Sequence, residues 1–548
     1  MKRLNVMTTV SLFLIPLIFL ADECLADQQS DHLNPYGHAF HLSLHKNELY
    51  FPSLYFRDQE QKSTDPSAEL IPKKRLGRAV LELAAVFAYS QTKYWLTYEE
   101  WLEDWSYELT WEDQKKRFFS LEAWKFDSNC FNLNWSHALA GALYYDIARS
   151  NNLNRLESLL FTIGGSFYWE YIVEWRNVIS IGDNIFTIVG GTSIGEAWYQ
   201  LGKYLADRTE LGYRILSFIN PVVKLNRWFD RNASGKWPRQ PEPGWHKFDF
   251  FLGSRFDRRT TGDHYQGNYY GGGRTQMIHI PDFGDPGKIS RKETGTIFTG
   301  LFFDLAAGTT GIEEANISAQ TVFFGHFRQN IDQNEEGYAY YIGLGSAFSY
   351  FKKRGVAFYD GCEVKVKRGY DLQLEKPRDF RDKFSAVHLA GPVFDLTSFS
   401  SKFRLRLVLD AYLDFALVNA FALNKYSEGR DISGIKTTLL HYGYYYGIGA
   451  TFGSDINITY DNLELNGVLR YHTWGSIEGR DRFQVEVTDD FHITDSRLQV
   501  KLSLGYWIPQ MPIALFGSFE GIGREGNIKD TRHKETENRL FLGLNFKF

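Results

Sequence analysis

The sequence predicts an α+β protein in which an N-terminal helical domain is followed by a transmembrane antiparallel β-barrel of about 12 strands. Three observations support this prediction. Apolar and polar residues alternate with a period of two through much of the second half of the chain, whereas apolar residues in the first half recur at helical spacing. In addition, 16% of the 548 residues are aromatic and 48 are glycine, a composition that suits strands with an aromatic surface.

The alternation is clean in the strand predicted at residues 498–506. Its apolar face carries Leu498, Val500, Leu502, Leu504 and Tyr506, and its other face carries Gln499, Lys501, Ser503 and Gly505. A secreted β-sandwich would show the same alternation, so that alternative stays open. Segments of about ten residues with aromatics near their ends favour strands that cross a membrane. The polar stretches 258–273, 329–337, 425–436 and 524–538 are predicted to be loops.

Both ends of the sequence carry targeting patterns. Lys2 and Arg3 precede an apolar run, and small residues before Asp27 predict that residues 1–26 are a signal peptide. The last residues alternate and finish on Phe548, which resembles the C-terminal strand by which Gram-negative outer-membrane barrels are recognised for assembly. We therefore expect location in the outer membrane of a Gram-negative bacterium, with outer-membrane lipid and the barrel-assembly machinery as partners.

The mature chain divides into four predicted parts. They are an extended lead-in at 27–75, a helical domain with a buried polar cluster at 76–233, a Pro-rich linker at 234–244 and the barrel at 245–548. Helices are predicted from the spacing of Leu76, Val80, Leu83 and Phe87, and at 136–149, 156–178 and 191–206. We expect the helical domain to lie in the periplasm or inside the barrel.

The predicted helices carry ionisable residues where their apolar neighbours indicate burial. His137 shares a helical stripe with Asn134, and Glu170 and Glu174 form a second stripe. Asp183 and Glu196 follow in the next segments, so the five form a predicted polar cluster of His137, Glu170, Glu174, Asp183 and Glu196. Buried carboxylates are costly unless they are paired, protonated or bound to a ligand.

Two interpretations of this cluster stay open. In the functional one, His137 is a general base or a metal ligand and the carboxylates are its partners, although the sequence identifies neither a metal nor a cofactor. In the structural one, Glu170 or Glu174 pairs with Arg149 or Arg176, and Asp183 caps a helix.

Three ordered motifs resemble an uncharacterised bacterial family that joins a helical domain to an outer-membrane β-barrel. They are Asn-x-x-His-x-x-x-Gly-x-x-Tyr-Tyr at 134–145, Ser-x-x-Trp-Glu-Tyr-x-x-Glu at 166–174 and Gly-x-x-x-Gly-Glu at 191–196. The chain departs from the expected pattern at Ala138, where we expect Pro, and at Thr187-Ile188, where we expect Thr-Pro. The resemblance implies the architecture and marks His137, Glu170, Glu174 and Glu196, but it implies no reaction.

Composition narrows the function without naming it. The formal charge of -5 gives no basic field for nucleic acid, which we exclude as a partner. Three functions remain: a role in envelope structure or transport of an envelope component, a membrane-associated enzyme that acts on lipid or cell-wall material through the polar cluster, and a passive porin. The sequence leaves open whether the protein is an enzyme.

Overall fold

The computed structural model describes the helical region, the barrel strands and most of the segments that join them. The described residues are 73–98, 107–126, 134–234, 243–259, 265–309, 311–353, 382–430, 432, 434–436, 438–439, 443–478 and 490–547. The predicted signal peptide, nearly all of the lead-in, most of the Pro-rich linker and Phe548 lie outside these residues.

Twelve antiparallel strands close into a barrel, as the sequence predicts. Following neighbours around the sheet, the order is β3, β4, β6, β7 to β15, and then β3 again. The strands are β3 (Trp245–Arg259), β4 (Tyr265–Ile278), β6 (Phe298–Gly308), β7 (Gly311–Ile331), β8 (Gly337–Lys353), β9 (Lys383–Phe399), β10 (Phe403–Asn419), β11 (Tyr444–Tyr460), β12 (Leu463–Ser476), β13 (Ile493–Trp507), β14 (Ile513–Ile528) and β15 (Thr531–Lys547). The pairing of β15 with β3, which matches Leu544 to Leu252, closes the cylinder.

One position of the wall is built from two pieces of chain. The thirteenth strand of the sheet, β5 (Gly287–Glu293), pairs with the end of β7 that β6 leaves free. Thus β5 and β6 lie end to end beside β7, and the wall is interrupted at residues 294–297. A bulge in the β7–β8 pairing between Val322 and Phe324 lies at the same level.

Ion pairs and hydrogen bonds between strands that are not neighbours identify the inner face of the barrel. Glu314 of β7 accepts hydrogen bonds from Arg255 of β3 at 2.8 Å and from Arg539 of β15 at 2.7 Å. At another point, Tyr445 of β11 donates to Asp495 of β13 at 2.9 Å. Since other strands separate these partners in the sheet, their side chains meet across the lumen. The described lumen is therefore crossed by buried polar side chains.

The opposite face of the strands is apolar and exposed. Leu252, Leu413, Ile448, Leu502 and Leu542 are each more than half exposed, on strands spread around the barrel. Exposed apolar faces of this extent are unfavourable in water but match a bilayer. The barrel is thus inverted relative to a soluble protein, with ionic groups inside and apolar groups outside.

The predicted loop at 524–538 is wrong, because these residues form the hairpin of β14 and β15. The charged residues of this segment suggested a loop, but they have partners within the barrel. Arg524, for example, faces the lumen and donates a hydrogen bond to Asp382 at 2.7 Å. Likewise, most of the predicted loop at 258–273 belongs to β3 and β4.

The helical region contains eight α-helices among the residues described before the barrel. They are α1 (Leu76–Tyr98), α2 (Trp111–Phe119), α3 (Trp135–Ser150), α4 (Arg155–Phe167), α5 (Ile181–Ile185), α6 (Gly191–Ala206), α7 (Leu211–Leu216) and α8 (Pro221–Ser234), and α9 (Leu423–Ser427) lies between β10 and β11. Two π-helical segments, Tyr168–Val173 and Phe186–Gly190, continue α4 and α5. A short parallel pair joins β1 (Trp124–Lys125) to β2 (Ile179–Ser180).

The helical region packs against the outer face of the barrel wall. Its residues Trp135, Ala138, Phe186 and Ile194 form one buried cluster with Phe348, Val387, Phe415 and Tyr446 of β8 to β11. Phe415 follows Asp414, which accepts from Trp474 of β12 inside the lumen, and Tyr446 follows the inward-facing Tyr445. Because side chains alternate between faces, Phe415 and Tyr446 point outward. The described interface of the helical region is therefore with the outward face of these strands. Where the helical domain lies in the envelope stays a prediction.

Helix α6 lies along this wall and reaches the interruption between β5 and β6. Ser193 lies 2.8 Å from Ser346 of β8, and Tyr204 lies 2.9 Å from His246 of β3. Between them, Thr296 donates to Glu196 at 2.7 Å. The guanidinium of Arg155 donates to the carbonyls of Phe323 and Thr294, so the helical region satisfies backbone groups that the broken strand leaves without a sheet partner.

Replacing Glu314 with Gln should destabilise the barrel by roughly 3 kcal/mol, because two buried guanidiniums lose their shared charge partner. The expected result is a lower temperature for conversion of the folded, fast-migrating band to the unfolded band on gel electrophoresis. Glu525→Gln is the control, since Glu525 pairs with Arg532 and Lys534 at an exposed hairpin where ion pairs contribute little. Equal shifts in the two variants would contradict the role of the lumenal pairs.

Candidate functional site

Four of the five predicted site residues converge in the helical region. The Nε2 atom of His137 lies 3.7 Å from Oδ2 of Asp183. One donor atom each from His137, Glu170 and Asp183 lie within 4.8 Å of one another, and all three residues are buried. Glu174 is buried beside them and interacts electrostatically with His137 and Asp183.

His137 lies in the first turn of α3, a helix that begins directly after a residue in the left-handed conformation. Asn134 precedes the helix with φ 54°, a conformation that Asn adopts more readily than most residues. Its side-chain amide donates to Oδ1 of Asp183 at 2.7 Å and to the hydroxyl of Tyr446 at 3.2 Å. Asn134 therefore ties the site to the outer wall of β11 and orients Asp183 toward His137.

The two glutamates lie where the α-helix widens. Glu170 is within the π-helical segment that continues α4, and Glu174 follows its end. Oε2 of Glu170 accepts from the backbone N–H of Ser180 at 3.3 Å, and Oε1 of Glu174 accepts from Trp169 at 3.0 Å. Single π-turns inside helices are frequent at functional sites, because the extra residue changes where side chains point.

Asp183 is on the short helix α5, but it is not the residue that caps it. Ser180 is the N-cap, and its hydroxyl accepts from the backbone N–H of Asp183 at 3.1 Å. The Asp183 carboxylate is consequently free of the capping role that the structural interpretation gives it. Nearby, Ser166 of α4 donates to Asn184 at 2.8 Å and fixes α4 against α5.

A buried arginine that sequence reasoning missed holds the glutamate segment in place. Arg117 of α2 is fully buried and donates to the carbonyls of Asn177 at 2.7 Å, Tyr171 at 2.9 Å and Glu174 at 3.1 Å, and also to that of Glu170. No local motif marks it, since its partners are more than fifty positions away. The guanidinium of Arg117 thus binds the backbone carbonyls of the segment that carries both glutamates.

Electrostatics at the site favour a proton or a cation. Burial, reinforced by the charges of Glu174 and Asp183, raises the pKa of Glu170 well above its ordinary value. Burial and Asp183 likewise raise the pKa of Glu174, although His137 opposes this shift. Ionisation of all three carboxyl groups beside one imidazole would leave an excess of negative charge in a buried site, which a proton or a positive ligand relieves.

Glu196 belongs to a different cluster. It pairs with Arg149 at 2.8 Å and accepts from Tyr145 at 3.1 Å, Gln200 and Thr296. Burial alone would raise the pKa of Glu196, but Arg149 and the other donors outweigh it and lower that pKa to about 2. Of the two arginines that the structural interpretation considers, Arg149 pairs with Glu196 and Arg176 pairs with Glu108.

Close contact between α3 and α6 sets the distance between these two clusters. A Cβ atom on Gly141 would lie 1.8 Å from the carbonyl oxygen of Thr187, and one on Gly191 would lie 2.5 Å from the backbone of Gly141. Only glycine permits this approach. The small residues of the sequence motifs therefore have a packing role.

A second set of chemically suggestive residues lies in the barrel lumen. Ser349 Oγ is 2.9 Å from His388 Nε2, and His388 Nδ1 is 2.6 Å from Asp414 Oδ1. We call these three residues the lumenal triad. They come from β8, β9 and β10, so no spacing in the sequence could have revealed them.

These features define an outer-membrane β-barrel protein with an N-terminal helical region. Residues 123–222, which include the converging site, match the domain of unknown function DUF3943. The chain thus carries a DUF3943 domain joined to a barrel. No curated protein matches the sequence.

Among solved structures, the similar chains are barrels with very low sequence identity. The KdgM porin in complex with disordered oligogalacturonate is 9% identical and covers 55% of this chain and 99% of its own, with a TM-score of 0.19. OmpTdeltaL8, an outer membrane protein of Vibrio cholerae, is 7% identical and covers 56% and 99%, with a TM-score of 0.21. The outer membrane protease OmpT from Escherichia coli is 9% identical and covers 55% and 96%, with a TM-score of 0.18.

The helical region should lose stability as pH rises because of Asp146, a fully buried acid of α3. Burial raises the pKa of Asp146 to about 8, against hydrogen bonds from Asn220 and Ser150. The folded state then holds a proton that the unfolded chain releases near pH 4, so the contribution of Asp146 to stability is greatest below about pH 4 and is lost as the pH rises to about 8. Amide hydrogen exchange over residues 135–206 as a function of pH measures this, and Asp146→Asn should flatten the profile.

The control for Asp146→Asn is Glu112→Gln, which changes an exposed acid on α2. Its exchange profile should follow that of the unmodified protein. Identical profiles for Asp146→Asn and the unmodified protein would show that this acid does not control the pH response.

Proposed function

We propose that the protein is an enzyme of the Gram-negative outer membrane, anchored by its barrel, whose helical domain acts on lipid or cell-wall material with a divalent cation. His137, Glu170 and Asp183 would hold the cation, with Glu174 beside it. The proposal rests on one observation: donor atoms of these residues converge within 4.8 Å in a buried part of the helical domain.

The donor set fits a first-row divalent metal. Imidazole nitrogen suits Zn²⁺ and related ions, and carboxylate oxygens suit Mn²⁺ as well as Zn²⁺. Hydrogen bonds also hold the two carboxylates in place, since Asn134 donates to Asp183 and the backbone N–H of Ser180 donates to Glu170. Such a cation, when bound, supplies Lewis-acid activation of water or of a phosphoryl or carbonyl oxygen.

The remaining residues have roles that follow from their contacts. Glu174 is held by Trp169 and by Asn177, which donates to Oε2 at 3.4 Å, so its carboxylate is positioned to accept a proton at the site. Arg117 fixes the backbone on which both glutamates lie. Tyr446 brings the barrel wall to within hydrogen-bond distance of Asn134.

The described lumen argues against the passive porin. Glu314 binds guanidiniums from β3 and β15, and Arg497 and Arg524 bind Asp382, so charged pairs occupy the interior. An open pore needs lumen-facing charges that line a channel without bridging it. A role in envelope structure or transport is retained as the alternative that the following experiment distinguishes.

Replacing His137 with Ala or Glu170 with Gln should abolish stoichiometric metal in the purified protein, because each removes a ligand from a three-residue set. Elemental analysis of the detergent-solubilised, folded barrel measures this. The outer-membrane lipid or muropeptide profile of cells that carry either variant should match that of the deletion strain. Glu112→Gln, which changes an exposed acid of the same domain, should retain both metal and activity.

The proposal fails if the unmodified protein, offered Zn²⁺ or Mn²⁺, binds no metal. If metal is bound but lipid and muropeptide profiles are unaffected by the deletion, the enzymatic role is wrong and the cluster stabilises the fold. A deletion phenotype that His137→Ala complements would indicate the structural or transport role.

A second candidate function rests on the lumenal triad. The hydrogen bonds join the serine, histidine and carboxylate in the order that activates a nucleophile: Ser349 to Nε2, and Nδ1 to Asp414. Ser349 is partly exposed, while His388 and Asp414 are buried. In such a site Ser349 would attack an ester carbonyl and pass its proton to His388, which would return it to the alcohol that departs as the ester C–O bond breaks and the acyl-serine forms. The competing role for these residues is polar packing of the barrel interior.

A fluorophosphonate probe tests this second function. Labelling of the folded protein at Ser349, lost in Ser349→Ala and retained in Ser503→Ala, is expected if the serine is activated. Ser503 is the control because it also faces the lumen. Absence of labelling in the unmodified protein would exclude the nucleophilic role and leave the metal centre as the proposed site.

A further inference from the structure

Helix α4 has its polar and apolar faces reversed relative to a helix of a soluble protein. Ser158, Thr162 and Ser166 are buried, and Glu170 and Glu174 continue this inward stripe. The outward face instead carries Leu156, Leu160, Phe167 and Ile172, which are 65%, 57%, 46% and 54% exposed. The residues that would favour water are inside, and the residues that avoid it are outside.

Helix α1 shows the same reversal over three turns. Its exposed residues between positions 76 and 89 are Leu76, Gly77, Val80, Leu81, Ala84, Ala85, Ala88 and Tyr89. Its charged residues point inward instead: Arg78 donates to Asp230 at 2.7 Å, and Glu82 accepts from Asn151 at 2.7 Å. A surface helix in water would place Arg78 and Glu82 outward.

Helix α8 repeats the pattern on a third side of the region. Leu225, Trp228 and Phe229 are exposed, whereas Asn226 and Asp230 are each 1% exposed. The reversal is thus shared by three separate helices, α1, α4 and α8, whereas α2 exposes the charged residues Glu112, Lys115 and Lys116. Soluble monomers rarely expose apolar patches of this extent.

The apolar surface of the helical region continues directly into the lipid-facing belt of the barrel. Phe415 is buried under the helices, and Leu413, two positions along β10 on the same face, is 64% exposed. On β11, Tyr446 is fully buried, and Ile448 is 60% exposed. The edge of the helical footprint is thus bordered by residues that face lipid, and no aqueous rim separates the two surfaces along these strands.

We infer that the outward face of the helical domain contacts the acyl chains of the membrane, so that the domain lies in the bilayer beside the barrel. This inference does not depend on the proposed enzymatic function. Polar groups that bridge helices and glycines that permit close approach, such as Gly141 and Gly191, are features of helices packed in lipid. In the described residues, none of the helices has both the length and the hydropathy to cross a membrane.

The domain therefore enters the bilayer alongside the barrel, in the manner of an amphipathic helix whose apolar side is buried in lipid. We infer lipid because the apolar face of the helical region continues into the lipid-facing belt of the barrel. A second copy of this chain or the segment 27–72 could also cover such a face, and the experiment below distinguishes these occupants from lipid.

Spin labels on the full-length protein test the inference. The three cysteines are replaced by Ser, single cysteines are introduced as Leu81→Cys, Leu160→Cys and Phe229→Cys, and the folded protein is placed in phosphatidylcholine vesicles. Power saturation compares collisions with oxygen, which concentrates in hydrocarbon, and with a water-soluble nickel chelate. Leu502→Cys on the barrel belt is the lipid reference, and Gln333→Cys in the exposed β7–β8 turn is the water reference.

All three helical positions should shift toward oxygen as Leu502→Cys does. A preference for the nickel chelate like that of Gln333→Cys would overturn the inference. Low accessibility to both agents would also overturn it, because a protein surface would then cover the face.

A second measurement uses the unmodified protein and so does not depend on the folding of the variants. Vesicles that contain phosphatidylcholine with a photoreactive diazirine on the acyl chain are irradiated, and adducts are mapped by mass spectrometry. Adducts are expected within 76–96 and 156–172 as well as on the barrel strands. Adducts confined to the strands would contradict the inference.

Discussion

The absence of water in a bilayer is the constraint on which this architecture depends. Backbone donors and acceptors in hydrocarbon must be paired within the protein, and a closed sheet of twelve strands achieves this without a free edge. Once the sheet closes, charged side chains are stable only inside it, where Glu314 binds Arg255 and Arg539. The same inversion extends to helix α4 and the segment that continues it, where Ser158, Thr162, Ser166, Glu170 and Glu174 are buried. Barrel and helical domain thus follow one rule of side-chain placement.

The barrel could be predicted because its alternation is local. Leu498 to Tyr506 shows a period of two in the sequence, and β13 contains these residues. The hairpin at 524–538 could not be predicted in the same way, since Arg524 is stabilised by Asp382, a residue more than a hundred positions away. The interruption between β5 and β6 also leaves no local pattern, because it depends on donors from the helical region.

The convergence of the site followed from helical geometry. Residues three or four positions apart share a face, so His137 and the two glutamates were expected to point into the same bundle. Donor atoms of His137, Glu170 and Asp183 lie within 4.8 Å of one another. Glu196 instead pairs with Arg149, which lies two turns beyond Gly141 on α3. Arg117 and the lumenal triad were missed because they are assembled from distant segments. Burial of carboxylates could be predicted from their neighbours, but which charge compensates them could not.

Hydrogen bonds join the helical region to the barrel at the interrupted wall strand. Arg155 supplies donors to the carbonyls of Thr294 and Phe323, and Glu196 accepts from Thr296. Without the helices, these groups would face an apolar layer that offers no replacement donor. We therefore expect the amino-terminal helices to be needed beside this part of the wall before the cylinder can be completed in lipid.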